Sequence, residues 1–133
     1  MSDDWPGVPA ARSEPAVASP GATGVPAARL PVVIVDGDRA EVERIARVLR
    51  DAGHPVIAAT GGRAALRLVF ASSVGPGLLI SAIEMPDMSG IELAARLTAA
   101  RPGVRVILMS ADPRVAERAR THVAQVQVVL LKP

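Results

Sequence analysis

The sequence predicts an α/β fold organised on a parallel sheet. From Leu30 onward short apolar runs alternate with helix-length amphipathic stretches, the pattern of repeated strand and crossover units. The first run, Val32-Val33-Ile34-Val35, is unbroken, as expected of a strand covered on both faces. The length of 133 residues suits a single core and is too short for two.

Each element follows from local signals. After the first strand, Asp38 and Glu41 form a D-x-x-E capping box, Val42, Ile45 and Leu49 make a buried stripe, and Gly53 supplies the stop. The second strand spans 55–59. Thr60-Gly61-Gly62 then opens a helix expected to point Leu66, Val69 and Phe70 inward. The third strand covers 78–82, and the loop Glu84-Met85-Pro86-Asp87-Met88-Ser89-Gly90 leads to a helix capped by Ser89 with Glu92 and running to about Ala100. The fourth strand takes 104–109. Asp112 caps the next helix with Pro113 at its first position, where a missing N–H costs nothing. The fifth strand spans 126–131 and the sequence stops at Pro133. With no helix after that strand, some apolar sheet surface is expected to be bare.

Composition excludes several classes of function. Cysteine is absent, which removes disulfides, thiol nucleophiles and Cys-bound zinc, and suits a reducing compartment such as the cytoplasm. His54 and His122 cannot alone make a histidine-rich metal site. The net charge is only +2, and with Trp5 and Phe70 as the sole aromatics a base-stacking surface for nucleic acid is not expected. Residues 1–30 carry five of the twelve prolines and seven alanines without a periodic apolar stripe, so they read as a disordered leader, distinct from a domain at 31–133. Trp5 is the one leader residue suited to docking on an apolar surface. No segment is apolar enough for a signal or membrane span.

In an open parallel sheet, ligands gather at the carboxyl ends of the strands. Those ends carry Asp36-Gly37-Asp38, Ser81-Ala82-Ile83-Glu84, Ser110-Ala111 and Lys132-Pro133. Carboxylates, a hydroxyl and an ammonium converging there could hold a phosphoryl group with magnesium. Thr60-Gly61-Gly62 lacks the lysine of a P-loop, and no G-x-S-x-G elbow occurs.

On Val-Asp-Gly-Asp at 35–38, Glu-Met-Pro-Asp-Met-Ser-Gly at 84–90, Ser110-Ala111 and Leu-Lys-Pro at 131–133, the sequence resembles a response-regulator receiver domain of two-component signalling. The resemblance implies a flavodoxin-like, five-stranded sheet in the order 2-1-3-4-5, here without the final helix. It also implies phosphorelay chemistry, in which an aspartate ending the third strand takes a phosphoryl group beside magnesium. That aspartate falls three residues before Met85, where this chain has Ala82. A methyl group has no lone pair to attack phosphorus.

The acidic pair of the family is Asp36-Gly37 here, so one expected magnesium ligand is missing as well. Asp36 and Glu84 remain as weak metal candidates, and magnesium binding is expected to be lost. Asp38 reads as a helix cap rather than a ligand. Lys132, the single lysine, matches the family's phosphoryl-contacting residue and is expected to pair with Asp36 instead. Ser110 matches the hydroxyl that couples the phosphoryl group to an aromatic on the fifth strand, a position held by Val129, or else it simply caps the loop before the fourth helix. The expectation is a non-enzymatic pseudo-receiver acting through phosphate-independent contact with a protein partner or a second copy, using the bare sheet face. The alternatives are a truncated remnant of a response regulator, or residual phosphotransfer through Glu84 or Ser81.

Overall fold

The structure is a computed structural model that describes residues 29–122 and 126–132. The leader, Trp5 included, therefore falls outside the described residues apart from Arg29 and Leu30. Five strands, β1 (Val32–Val35), β2 (Val56–Ala59), β3 (Leu78–Ala82), β4 (Arg105–Ser110) and β5 (Val126–Leu131), form one parallel sheet in the order β2-β1-β3-β4-β5. Four helices connect them, α1 (Arg39–Asp51), α2 (Gly62–Ala71), α3 (Gly90–Ala100) and α4 (Pro113–His122), and among the described residues none follows β5.

The two faces of the sheet are covered unequally. On one, α2, α3 and α4 press Ala65, Val69, Leu93, Leu97, Ala116 and Ala119 onto Val33, Val35, Leu79, Val106 and Leu108. On the other, α1 sets Val42, Ile45 and Ala46 against Ile34, Ile80 and Met109. Val128 and Leu130 pair with Ile107 and Met109 across β4 and β5, so they share α1's face, yet they are 45% and 48% exposed. The bare apolar strip lies at β5 and does not extend to β1, where Val32 and Ile34 are buried.

Helix termini mostly follow the expected chemistry. Asp38 accepts hydrogen bonds from Ala40 N and Glu41 N, Ser89 Oγ from Glu92 N, and Asp112 Oδ1 from Arg114 N. Gly53, at φ +93°, ends α1 with Gly53 N donating to Arg50 O and His54 N to Leu49 O, the paired bonds that a left-handed residue permits. The capping boxes are only half formed. Glu41 pairs with Arg44, and Glu92 with Arg96 at 2.7 Å, so neither carboxylate returns to its cap; the Asp38 N–H goes to Asp36 Oδ1 instead.

Phe70 corrects the reading of α2, since it is 53% exposed. The inward stripe is Gly62, Ala65 and Val69, with Leu66 at its margin, and Phe70 lies one further residue round the helix. That stripe uses a glycine for a reason. A Cβ on Gly62 would sit 2.4 Å from Met88 Cγ, so the loop after β3 packs directly on the start of α2.

Candidate functional site

Strand register brings the candidate residues to one end of the sheet. Val35 pairs with Ser81 and Ala82 with Met109, so Asp36, Ala82 and Ser110 follow one another across β1, β3 and β4. Lys132 directly follows β5, and its backbone N–H donates to Ser110 O at 2.7 Å. The loop after β3 turns sharply beneath them. Gly90 N donates to Ile83 O at 2.8 Å, and a Cβ on Gly90 would lie 2.1 Å from Ala82 O, so only glycine fits.

The side chains at this end are partnered with one another. Lys132 Nζ lies 2.6 Å from Asp36 Oδ2, with the two side chains 22% and 5% exposed, as the sequence leads one to expect. Asp36 Oδ1 accepts from Asp38 N at 3.0 Å, so both carboxylate oxygens are engaged. Ser110, fully buried, donates its hydroxyl to Glu84 Oε2 at 2.8 Å and accepts from Asp112 N at 3.0 Å. Ser81 is also fully buried, and its hydroxyl donates to Ala82 O at 2.8 Å. Ala82 is 1% exposed and brings a methyl group to the centre of the arrangement.

Magnesium asks for several free oxygen ligands in near-octahedral array. The donor set does not fit that demand. Gly37 and Ala82 bear no side-chain oxygen, Asp36 is committed to an ammonium and an amide, and Glu84 to a hydroxyl. Among the described residues no three or more His, Cys, Asp or Glu side chains group closely enough to hold a metal ion.

Two features escape sequence reasoning. One is the Glu84–Ser110 hydrogen bond, between residues 26 apart in the chain. The other is Asp87, whose Oδ1 and Oδ2 accept from Gly62 N at 3.1 Å and Arg63 N at 3.0 Å, capping α2 from the following crossover. The Arg63 amide foremost, joined by that of Gly62, holds the Asp87 carboxyl below its ordinary 3.8, against a smaller opposing effect of burial. A sequence signal for it does exist. Gly61 is the N-cap of α2 and has no side chain to close the first turn.

Comparison with known proteins agrees with this architecture. A family model described as the response regulator receiver domain matches residues 32–133. The chain is 42% identical over 80 residues to a protein-glutamate methylesterase/protein-glutamine glutaminase of Caulobacter vibrioides, covering 59% of this chain and 22% of that protein. It is 31% identical over 87 residues to the response regulator MprA of Mycolicibacterium vanbaalenii, covering 65% and 37% respectively. The chain thus spans well under half the length of these curated relatives. Among solved structures, a receiver protein from Pseudomonas putida superposes with a TM-score of 0.68 at 30% identity, covering 80% of this chain and 88% of that one. The signal receiver domain of an HD domain-containing protein from Pseudomonas fluorescens gives 0.70 at 25% identity, covering 79% and 83%. No helix among the described residues is long and apolar enough to cross a membrane. By family model, strand order and the placement of Asp36, Ser110 and Lys132, the chain belongs to the response regulator receiver domain family.

Proposed function

We propose that this chain is a receiver that takes no phosphoryl group on aspartate and serves two-component signalling through phosphate-independent protein contact. Ala82 carries the reading: in phosphoryl transfer the protein chiefly positions groups and balances charge, and a methyl group cannot replace the attacking oxygen. The engagement of Lys132 with Asp36 and of Ser110 with Glu84 supports it, since the groups that would otherwise face a phosphoryl oxygen already have partners. Loss of magnesium binding belongs to the same proposal, as does the absence of catalytic turnover. So do a cytoplasmic setting and the division into a leader at 1–30 and a receiver unit at 31–133.

Transfer through Glu84 or Ser81 is disfavoured. The Ser81 hydroxyl is wholly buried and turned to a backbone carbonyl, and one Glu84 oxygen accepts from Ser110. The exposed strip at Val128 and Leu130 supports contact with a protein partner or a second copy on that face, because removing exposed apolar surface from water favours association.

Amide spectra recorded during titration with beryllofluoride and magnesium test the proposal. Unchanged resonances at Asp36, Ser110 and Lys132 are expected. Saturable, magnesium-dependent shifts at those three amides would overturn it.

A further inference from the structure

Ser110 sits where three segments meet. Its hydroxyl reaches Glu84 on the loop after β3, its carbonyl accepts from Lys132 N after β5, and its Oγ accepts from Asp112 N at the start of α4. Asp112 passes the constraint onward, because its Oδ1 accepts from Arg114 N at 2.9 Å and its carbonyl from Ala116 N at 3.0 Å. The single hydroxyl proton of Ser110 has two acceptors within reach: Glu84 Oε2 at 2.8 Å and Asp112 O at 3.3 Å. A carboxylate is the stronger acceptor of the two, since hydrogen bonds to ionised groups are shorter and tighter than neutral ones. With the proton directed at Glu84, an Oγ lone pair is left to hold the Asp112 amide.

We infer that Glu84 is a positioning residue, a built-in acid that fixes Ser110 and thereby the β4–α4 loop in one arrangement with no bound phosphate. This rests on the reading that the site receives no phosphoryl group, and it adds what sets the conformation in that group's place. The surface around the first turn of α4 is then constant, which is what a partner recognising an unphosphorylated receiver requires. Glu84 is itself exposed, so truncating it leaves the core intact.

Amide hydrogen exchange on the full chain, without phosphodonor or metal, tests the inference. In Glu84→Ala, exchange at Asp112 and Arg114 should accelerate about tenfold, the effect of losing one charge-assisted hydrogen bond, while amides of α1 and α3 keep their rates. Glu84→Gln, which retains an acceptor, should fall between. Adding Glu84→Ala to Ser110→Ala should change nothing further. Unaltered exchange at Asp112 in Glu84→Ala, or fully additive effects in the double variant, would overturn the inference. A phosphoryl adduct in a separate phosphodonor assay would instead contradict the underlying reading, so the two failures are distinguishable.

Discussion

Lys132 Nζ and Asp36 Oδ2 stand 2.6 Å apart although 96 residues separate them, and the contact joins the ends of β5 and β1 with β3 and β4 lying between. The pair is mostly withdrawn from water, with Asp36 the deeper partner. Removing one member of such a pair leaves the other charge uncompensated, which costs more than an exposed pair ever contributes. Lys132→Met should therefore destabilise the domain by about 2 kcal/mol, with the partial exposure of Lys132 keeping the loss below that of a fully buried pair. Chemical denaturation checks this, and an unchanged midpoint would mean that the contact adds nothing.

Asp87 predicts a pH dependence. Its carboxyl is held below 3.8 by the amides of Arg63 and Gly62, so the folded state binds this proton less readily than the unfolded chain does. The stabilisation is in place above 3.8 and fades as the pH falls through the lower folded value. Asp87→Asn should flatten that part of the acid limb, seen in denaturation midpoints measured between about pH 5 and pH 2. His54 acts in a separate window. Burial first, and then the neighbouring Arg29, lower its value from 6.5, so its contribution declines as the pH drops through 6.5.

Much of this was legible from residue order. The unbroken apolar run of β1 and the mainly apolar runs of β3 and β5 marked those strands at their observed bounds, and Asp38, Ser89 and Asp112 marked three helix starts, because each acts on amides two or three residues away. The Lys132–Asp36 pair was legible only through the family resemblance, which placed both residues at one site. What stayed hidden depends on long-range geometry: Asp87 reaching α2, and Glu84 reaching Ser110, are carboxylates choosing partners that only the completed sheet brings near. Glu41 and Glu92 failed as capping-box partners because an arginine one turn onward competes for each of them.

Restoration should need two substitutions. Ala82→Asp supplies an acceptor but still lacks the second acid of the strand-one pair, so phosphorylation should remain weak. Gly37 has room for that acid, since a Cβ there would meet Pro86 Cδ at 3.4 Å, an ordinary contact. The double variant Ala82→Asp, Gly37→Asp should gain magnesium-dependent phosphorylation at least tenfold above the single variant, a difference of about 1.4 kcal/mol in transition-state binding. Equal labelling of the two variants by a radiolabelled small phosphodonor would show that Gly37 is not the limiting loss.

The central claim is most directly tested by incubating the unmodified chain with acetyl phosphate and magnesium and measuring its intact mass. A receiver with a methyl group where the third strand ends should keep its original mass at every donor concentration. A stoichiometric, magnesium-dependent and acid-labile phosphoryl adduct would contradict the account.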